Sequence, residues 1–384
     1  MTFLLRVLFY IIVYNNLAHE YGWTADDNYD EIALNVISGN GYRIHATDPP
    51  NTVRPPLYTL FLIVIFSILG PGKWKVFLVQ DAMQVIICYY IYKLARRMTH
   101  DTSTAKIASI LFAIYPQSML YNSMFITETL FALLILMASH FFLDLINANN
   151  RKSAVCLGIF LGLSALTRPI SLLLIVPLVL IYVKRGDDVK LRSRIANSII
   201  MVTIFISTIF PWSVRNYLCT GKIIPVSSRG GHFLYSNTIA DKNEEKADQI
   251  REFGVADNSD PEKRDYTYIK LAIQNILEKP GLFVSNTIKT VLDFWYRGHS
   301  RRISIFNAFV NFSLLILAVI GIILLRYHAG YFYAPFIVII LYFNLCYGFL
   351  HAISRYSFPI MPFVMMYASY FIASLIKDTK HASA

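Results

Sequence analysis

The sequence predicts an all-α polytopic membrane protein, a bundle of about ten transmembrane helices with juxtamembrane helices on its outer face. Three observations predict it. Apolar residues make up 55% of the 384 and charged residues only 15%, against roughly 45–50% and a quarter in soluble domains. Apolar runs recur at close to the ~20 residues that cross ~30 Å of hydrocarbon at 1.5 Å per residue, and in lipid such runs must be helices because the backbone has to satisfy its own hydrogen bonds. The basic residues between the runs fall on one side: Arg96-Arg97, Arg151-Lys152, Lys184 to Arg194, Arg326, then Lys377 and Lys380, the bias of cytoplasmic loops. This placement, rather than a basic face with interleaved aromatics, accounts for the net charge of +11 and excludes a nucleic-acid partner.

Charge orients each element in turn. Span 1, Phe3 to Ala18, leaves the cytoplasm and is read as retained, since it lacks a small-residue cleavage site. Residues 19–73 form the first outer segment. Within it, Pro55 to Leu69 is short, ends at Gly70-Pro71-Gly72, and is expected as a re-entrant or interfacial helix. As a full span it would put Arg96-Arg97 outside. Span 2 is Trp74 to Leu94, span 3 Ala105 to Tyr121, span 4 Thr127 to Leu145. Spans 5 and 6, Ala154 to Leu166 and Ile170 to Val183, turn at Thr167-Arg168-Pro169, where the proline favours a break. Span 7, Ile195 to Pro211, exits into a second outer segment, 213–302, with an acidic stretch (Asp241 to Asp265) and an amphipathic one (Tyr266 to Leu277). Spans 8, 9 and 10 are Ile303 to Leu325, Phe332 to Leu350 and Phe358 to Ile376, so both termini lie inside. Residues 1–384 read as one membrane domain. Cys88, Cys156, Cys219 and Cys346 have neither metal nor redox spacing, so neither a disulfide framework nor a zinc site is expected.

This topology gathers charge on the outer face. The acids are Asp26, Asp27, Asp30 and Glu31 in the first loop and Glu128 at the mouth of span 4; the arginines are Arg54, Arg168, Arg215, Arg297, Arg301, Arg302 and Arg355. A single such arginine is accounted for by snorkelling or by pairing with a carboxylate. Several at helix mouths suit phosphate, which the guanidinium fork matches, and a membrane site facing outward meets phosphate on a lipid carrier. A carboxylate beside them can take the proton of an attacking hydroxyl, and the arginines can hold the charge that develops on a leaving phosphate.

The motifs that carry these groups resemble a known family. Asp26-Asp27-Asn28-Tyr29 with Ala33 and Gly39-Asn40-Gly41-Tyr42, then Val53-Arg54-Pro55-Pro56-Leu57-Tyr58, Tyr115-Pro116, Ile126-Thr127-Glu128-Thr129-Leu130, the run GIFLGLSALTRP from Gly158 to Pro169, Pro211-Trp212-Ser213-Val214-Arg215-Asn216 and Arg355-Tyr356-Ser357-Phe358-Pro359 stand in the order seen in GT-C glycosyltransferases of the protein-mannosyltransferase and aminoarabinose-transferase type. Pro280 and Trp295 stand where many relatives place a Pro and a Trp. The resemblance implies a GT-C-like bundle that takes a sugar from a polyprenyl-phosphate carrier. It implies Asp26 or Asp27 as base or acceptor-orienting acid and Glu128 as a second acid. It implies Arg54 at the carrier phosphate, with Tyr58 beside it in the same motif, and Arg355-Tyr356 as a further phosphate or sugar contact. Arg168 and Arg215 stand between a lipid-phosphate role and a structural one. His351, one turn before Arg355, reads as a satisfied interfacial histidine.

The expected reaction is a single displacement with inversion at the anomeric carbon, hexosyl or pentosyl, onto a lipid, glycan or protein acceptor outside the cytoplasmic membrane. Acceptor recognition is expected from the 213–302 segment. A monophosphate leaving group needs no metal and no cofactor is required, although a Mg or Mn ion bridging the acids and the phosphate is compatible with the chemistry. A lipid-linked sugar transporter or flippase, and a polysaccharide polymerase or ligase, are the alternative classes. A transporter would place charge near mid-membrane, where Asp81 and Asp144 are the exceptions among these spans.

Overall fold

Apolar runs became helices, and prolines and glycines set where they stop. The computed structural model describes residues 27–185, 189–239, 261–326 and 334–382. The predicted first span, Asp26 and most of the acidic stretch from Asp241 lie outside the described residues. The described chain opens with α1 (Tyr29–Ile37) and α2 (Pro56–Leu69). The bundle continues with α3 (Lys73–Thr99), α4 (Thr102–Ala113), α5 (Pro116–Asn122), α6 (Glu128–Ala148), α7 (Arg151–Thr167), a 3-10 turn (Pro169–Leu173) and α8 (Ile175–Lys184). After α9 (Leu191–Thr220) come α10 (Gly230–Ser236), α11 (Pro261–Glu278) and α12 (Pro280–Tyr296). The chain then runs through α13 (Arg301–Leu325), α14 (Ala334–Phe349), a second 3-10 turn (Ser354–Ile360) and α15 (Met361–Ala382).

Several expected boundaries move. The third span is not continuous: α4 ends before Tyr115, which is extended (φ −66°, ψ 118°) because Pro116 follows it, and α5 starts at that proline. Span 7 does not exit at Pro211. α9 runs through that proline and stops at Gly221, whose φ of 68° provides a left-handed cap. The helix therefore continues past the expected boundary at 213, and Arg215 rides on it. Span 10 opens as the 3-10 turn that carries Arg355 and Tyr356. Among the described residues four helices are long and apolar enough to cross a membrane alone: α6, α9, α13 and Ser354–Lys377. That is fewer than the expected spans. The other rods are shortened by breaks such as those at Pro116 and Pro169, and irregular backbone at membrane depth is tolerated where protein covers it.

The short run Pro55 to Leu69 forms α2, bent sharply against the helix that follows it. α2 and α3 meet at 116° across Gly70–Gly72, and Gly70 has a φ of 77° that a side chain would strain. Tyr58, fully buried, ties the elbow together: its hydroxyl donates to Gln80 Oε1 at 2.9 Å, and Gln80 Nε2 donates to the carbonyls of Asn122 and Met124 at 2.7 and 3.2 Å.

The two ends of the bundle have different chemistry. Arg97 pairs with Asp144 at 2.7 Å, Lys377 with Asp101 at 3.1 Å, and Asn149 is bonded to Ser193 and Asn197. These join the basic loops read as cytoplasmic. At the opposite end of α6, roughly 30 Å away at 1.5 Å per residue, stands Glu128. α6 is mostly buried, whereas α9 and α13 leave most of their apolar surface to the surroundings, the pattern of a central rod and lipid-facing ones.

Small residues set helix spacing, as is usual where lipid gives helices no hydrophobic drive to associate. A Cβ on Gly321 of α13 would stand 2.0 Å from the Tyr367 carbonyl oxygen of α15, and one on Gly162 of α7 2.6 Å from Thr208 Cβ of α9. Gly321→Ala is therefore expected to push α13 from α15 at a cost of at least ~1–3 kcal/mol and to lower the thermal midpoint in detergent. Gly281→Ala, which meets nothing within 4 Å, is expected to leave that midpoint in place.

Candidate active site

Three distant stretches meet at the Glu128 end of α6 through one side chain. Arg355 donates from Nη2 to Asp27 Oδ2 at 2.7 Å and from Nε to Glu128 Oε1. Arg54 Nη1 stands 3.3 Å from Asp27 Oδ1, and Arg168 Nη1 3.3 Å from Glu128 Oε1. Asp27 keeps 28% of its side chain accessible, while Glu128 has none. Glu128 Oε2 is buried without a hydrogen-bond partner among the described residues. Three guanidiniums thus face two carboxylates, and the cluster holds one positive charge more than it neutralises.

Each arginine is aimed by its surroundings. Arg168 sits in extended backbone between α7 and the 3-10 turn, its guanidinium 4.7 Å from the Tyr356 ring centre and 5.9 and 5.7 Å from those of Tyr347 and Phe131. Tyr347 and Tyr356 stack at 4.8 Å. Arg355 is placed by a buried polar chain. Ser354, its neighbour, accepts from Asn307 at 2.8 Å, Asn307 accepts from Gln117 at 2.6 Å, and Tyr115 donates to Asn311 at 2.7 Å. The break at Pro116 thereby supplies the side chains that fix Arg355. Arg54 lies over the Tyr29 ring at 5.5 Å, and Tyr29 packs edge-on against Tyr58 at 5.2 Å.

Two sequence-predicted residues serve the site indirectly. Tyr58 is buried with its hydroxyl engaged by Gln80. Arg215 meets none of the clustered carboxylates. It donates to the Asn51 carbonyl at 2.7 Å and stacks on Trp212 and Tyr42. Tyr42 in turn donates to the Arg54 and Pro55 carbonyls at 3.1 and 3.0 Å. The Pro211–Asn216 motif is a clamp on the loop that presents Arg54. Arg297 pairs with Asp293, and Arg301 and Arg302 are exposed, so the structure brings none of these three to the cluster.

Arg229 belongs here although no motif marked it. The Thr52 carbonyl accepts from Ser228 N at 3.0 Å and the Val53 carbonyl from Ser227 Oγ at 2.6 Å, which lays Arg229 beside Arg54. Burial and the like charge of Arg54 hold its guanidinium below its ordinary pKa, against the pull of Asp27. A Gly-Gly pair after an arginine was the sole signal available in the sequence. Burial alone would raise the Asp27 pKa, but the charges of Arg355 and Arg54 outweigh it and hold the carboxyl below its usual value. Burial pushes Tyr29 up to about 12, so its hydroxyl stays neutral. A cavity of about 640 Å³ opens beside Arg54 and Arg229. Among the described residues no three His, Cys, Asp or Glu side chains gather as a metal set. The two clustered carboxylates both accept from Arg355.

Residues 53–214 match the family of dolichyl-phosphate-mannose-protein mannosyltransferase. No curated protein sequence matches the chain. The archaeal oligosaccharyltransferase AglB from Archaeoglobus fulgidus, solved in complex with an inhibitory peptide and a dolichol-phosphate, is similar in structure with a TM-score of 0.58 at 14% identity, over 93% of this chain and 46% of that one. The chain thus spans under half the length of that relative. ArnT from Cupriavidus metallidurans bound to undecaprenyl phosphate is more distant, with a TM-score of 0.40 at 15% identity, over 90% of this chain and 72% of that one. The chain is thus a helical bundle similar in fold to AglB, and its residues 53–214 are similar to the dolichyl-phosphate-mannose-protein mannosyltransferase family.

Proposed function

We propose that this protein transfers a sugar from a polyprenyl-phosphate carrier to an acceptor hydroxyl on the outer face of the cytoplasmic membrane. The observation that carries the reading is the charge surplus: Arg54, Arg168 and Arg355 against Asp27 and Glu128. A carrier phosphate linked to a sugar is a diester with a single negative charge. As the bond to the anomeric carbon breaks, the phosphate gains a second. A cationic site binds the product-like charge more strongly than the starting one, and that difference lowers the barrier.

The roles follow from the distances. Arg54 and Arg355 receive the phosphate and turn part of their hydrogen bonding away from Asp27. The acceptor hydroxyl gives its proton to Asp27, its oxygen forms the bond to the anomeric carbon, and the carbon–oxygen bond to phosphate breaks with its electron pair leaving on the phosphate. Attack opposite the leaving group inverts the anomeric centre. Glu128 keeps Arg355 and Arg168 in place, and its second oxygen is the free acceptor for a sugar hydroxyl. Asp27 carries the base role in this scheme, with Asp26 as the control. No step needs a metal, and the arginines supply the charge that a Mg or Mn ion would. Sugar and acceptor identity are set by groups beyond this cluster.

Asp27→Asn is expected to lower transfer by about 10²–10⁴-fold, read as glycan product formed in membranes, while Asp26→Asn retains it. The reverse pattern would reassign the base. Arg54→Gln is expected to raise the donor concentration needed for half-maximal rate more than it lowers the maximal rate, and unchanged donor dependence would remove Arg54 from the phosphate site.

The pH dependence has a definite sign. With its pKa held below 3.8, Asp27 is already ionised throughout the neutral range, so kcat/KM is expected to show no acid limb from it above about pH 4. The same depressed pKa means that its ion pairs stabilise the fold fully above 3.8 and are lost as pH falls through the folded value. Arg54→Gln removes one of the lowering charges and is expected to move any acid limb upward. A downward move would contradict the pairing.

A further inference from the structure

The cavity shares Arg54 with the carboxylate–arginine cluster, and Asp27, Glu128, Arg168 and Arg355 are not among its lining residues. Its walls come from the first loop (Asp48, Asn51, Arg54), from Arg229, and from Arg264 and Tyr268 of α11. No wall residue belongs to a helix read as a span. A polyprenyl tail needs an apolar groove continuous with hydrocarbon, so this chamber suits the partner that arrives from water. Its size, about 640 Å³, is within the usual 300–1,000 Å³ of small-ligand sites.

The charge of the chamber is specific. Its two acids, Asp48 and Asp265, accept from backbone and keep their charge. With Arg264 acting on Asp265, the wall of three guanidiniums and two carboxylates carries one positive charge in surplus. Asp265 Oδ1 accepts from Gly231 N at 2.8 Å and His232 N at 3.3 Å, and Asp48 Oδ2 accepts from His45 N at 3.0 Å. Three guanidiniums, Arg54, Arg229 and Arg264, line the same space. Among the described residues Arg229 makes a cation–π contact with Phe233 at 5.1 Å and has no carboxylate within salt-bridge distance. The wall is built to stay in place, because a Cβ on Gly231 would stand 2.2 Å from the Asp265 carbonyl oxygen, so α10 seats directly on α11. Tyr268 adds an aromatic ring, a common partner for the apolar face of a sugar.

We infer that this cavity is the acceptor chamber and that it takes an acceptor whose sugar carries an oxyanion, a phosphate or a carboxylate, gripped by Arg264 and Arg229 while the sugar hydroxyl faces Asp27 past Arg54. The inference rests on the transfer reading above and adds the acceptor class to it. It makes the acceptor a charged glycan or glycolipid rather than a neutral peptide side chain.

The test titrates the full chain in nanodiscs by calorimetry with glucose 6-phosphate and with glucuronate, with glucose as the neutral control, and separately with undecaprenyl phosphate in the disc lipid. At least one anionic sugar is expected to bind about tenfold or more tighter than glucose; which one tells phosphate from carboxylate. Arg264→Gln and Arg229→Gln are each expected to weaken that binding about tenfold, with Arg264→Lys restoring most of it and Arg264→Gln leaving undecaprenyl phosphate binding in place. Glucose binding as well as the anions, neither anion binding, or anion binding that survives in a folded Arg264→Gln protein would overturn the inference. So would a parallel loss of undecaprenyl phosphate binding, which would make the chamber the carrier's. If anionic sugars bind and undecaprenyl phosphate does not, the chamber stands and the proposed donor fails.

Discussion

One guanidinium holds the Glu128 end of the bundle together. Arg355 reaches Asp27 from one edge and Glu128 from another, joining the first loop, the start of α6 and the turn before α15. Without it two carboxylates would face each other in a largely buried place, where like charges are costly and an unpaired charge costs several kcal/mol, about 3–5 when one partner of a buried pair is removed. The other parts of the site are arranged so that this side chain has no other place to go. Asn307, Gln117 and Ser354 fix its backbone, and Arg168 occupies the far side of Glu128.

The supporting structure is built from hydrogen bonds and rings more than from salt bridges. Tyr42, Trp212 and Arg215 clamp the loop that ends at Arg54, and Tyr58 and Gln80 clamp the elbow beneath it. Each clamp satisfies backbone carbonyls that would otherwise be stranded at a membrane surface, where an unmade bond is expensive. The same groups that make the irregular segments tolerable therefore also set the distances between the functional side chains.

How much of this was readable before the structure depended on the kind of signal. Fold class was legible because every long apolar run reports the same solvent, and the basic loops report one side. Asp27, Arg54, Glu128 and Arg355 were legible as a group because each sits in a short motif at a helix mouth on the opposite side. Their partners were not: which of two carboxylates an arginine meets is decided by packing between residues as far apart as 27 and 355. Tyr58 and Arg215 stand in motifs that allow a ligand contact or a structural role, and motif spacing cannot distinguish a group that touches a ligand from one that holds the loop that does. Arg229 left almost no trace, because its place depends on a loop-to-loop pairing of Ser227 and Ser228 with Val53 and Thr52, which has no periodicity. The continuation of α9 beyond Pro211 was likewise hidden, since a proline signals a break more often than a helix that tolerates it.

The enclosure of Arg168 has a consequence for the surroundings in which such a protein can work. Its guanidinium is walled by Tyr356, Tyr347 and Phe131 and nearly sealed from water. Mobile ions soften a charge only when they can approach it, over a Debye length of ~10 Å at 0.1 M. A cation held behind aromatic rings keeps its field whether the water outside is dilute or briny. The cluster thus carries part of its charge where mobile ions do not reach.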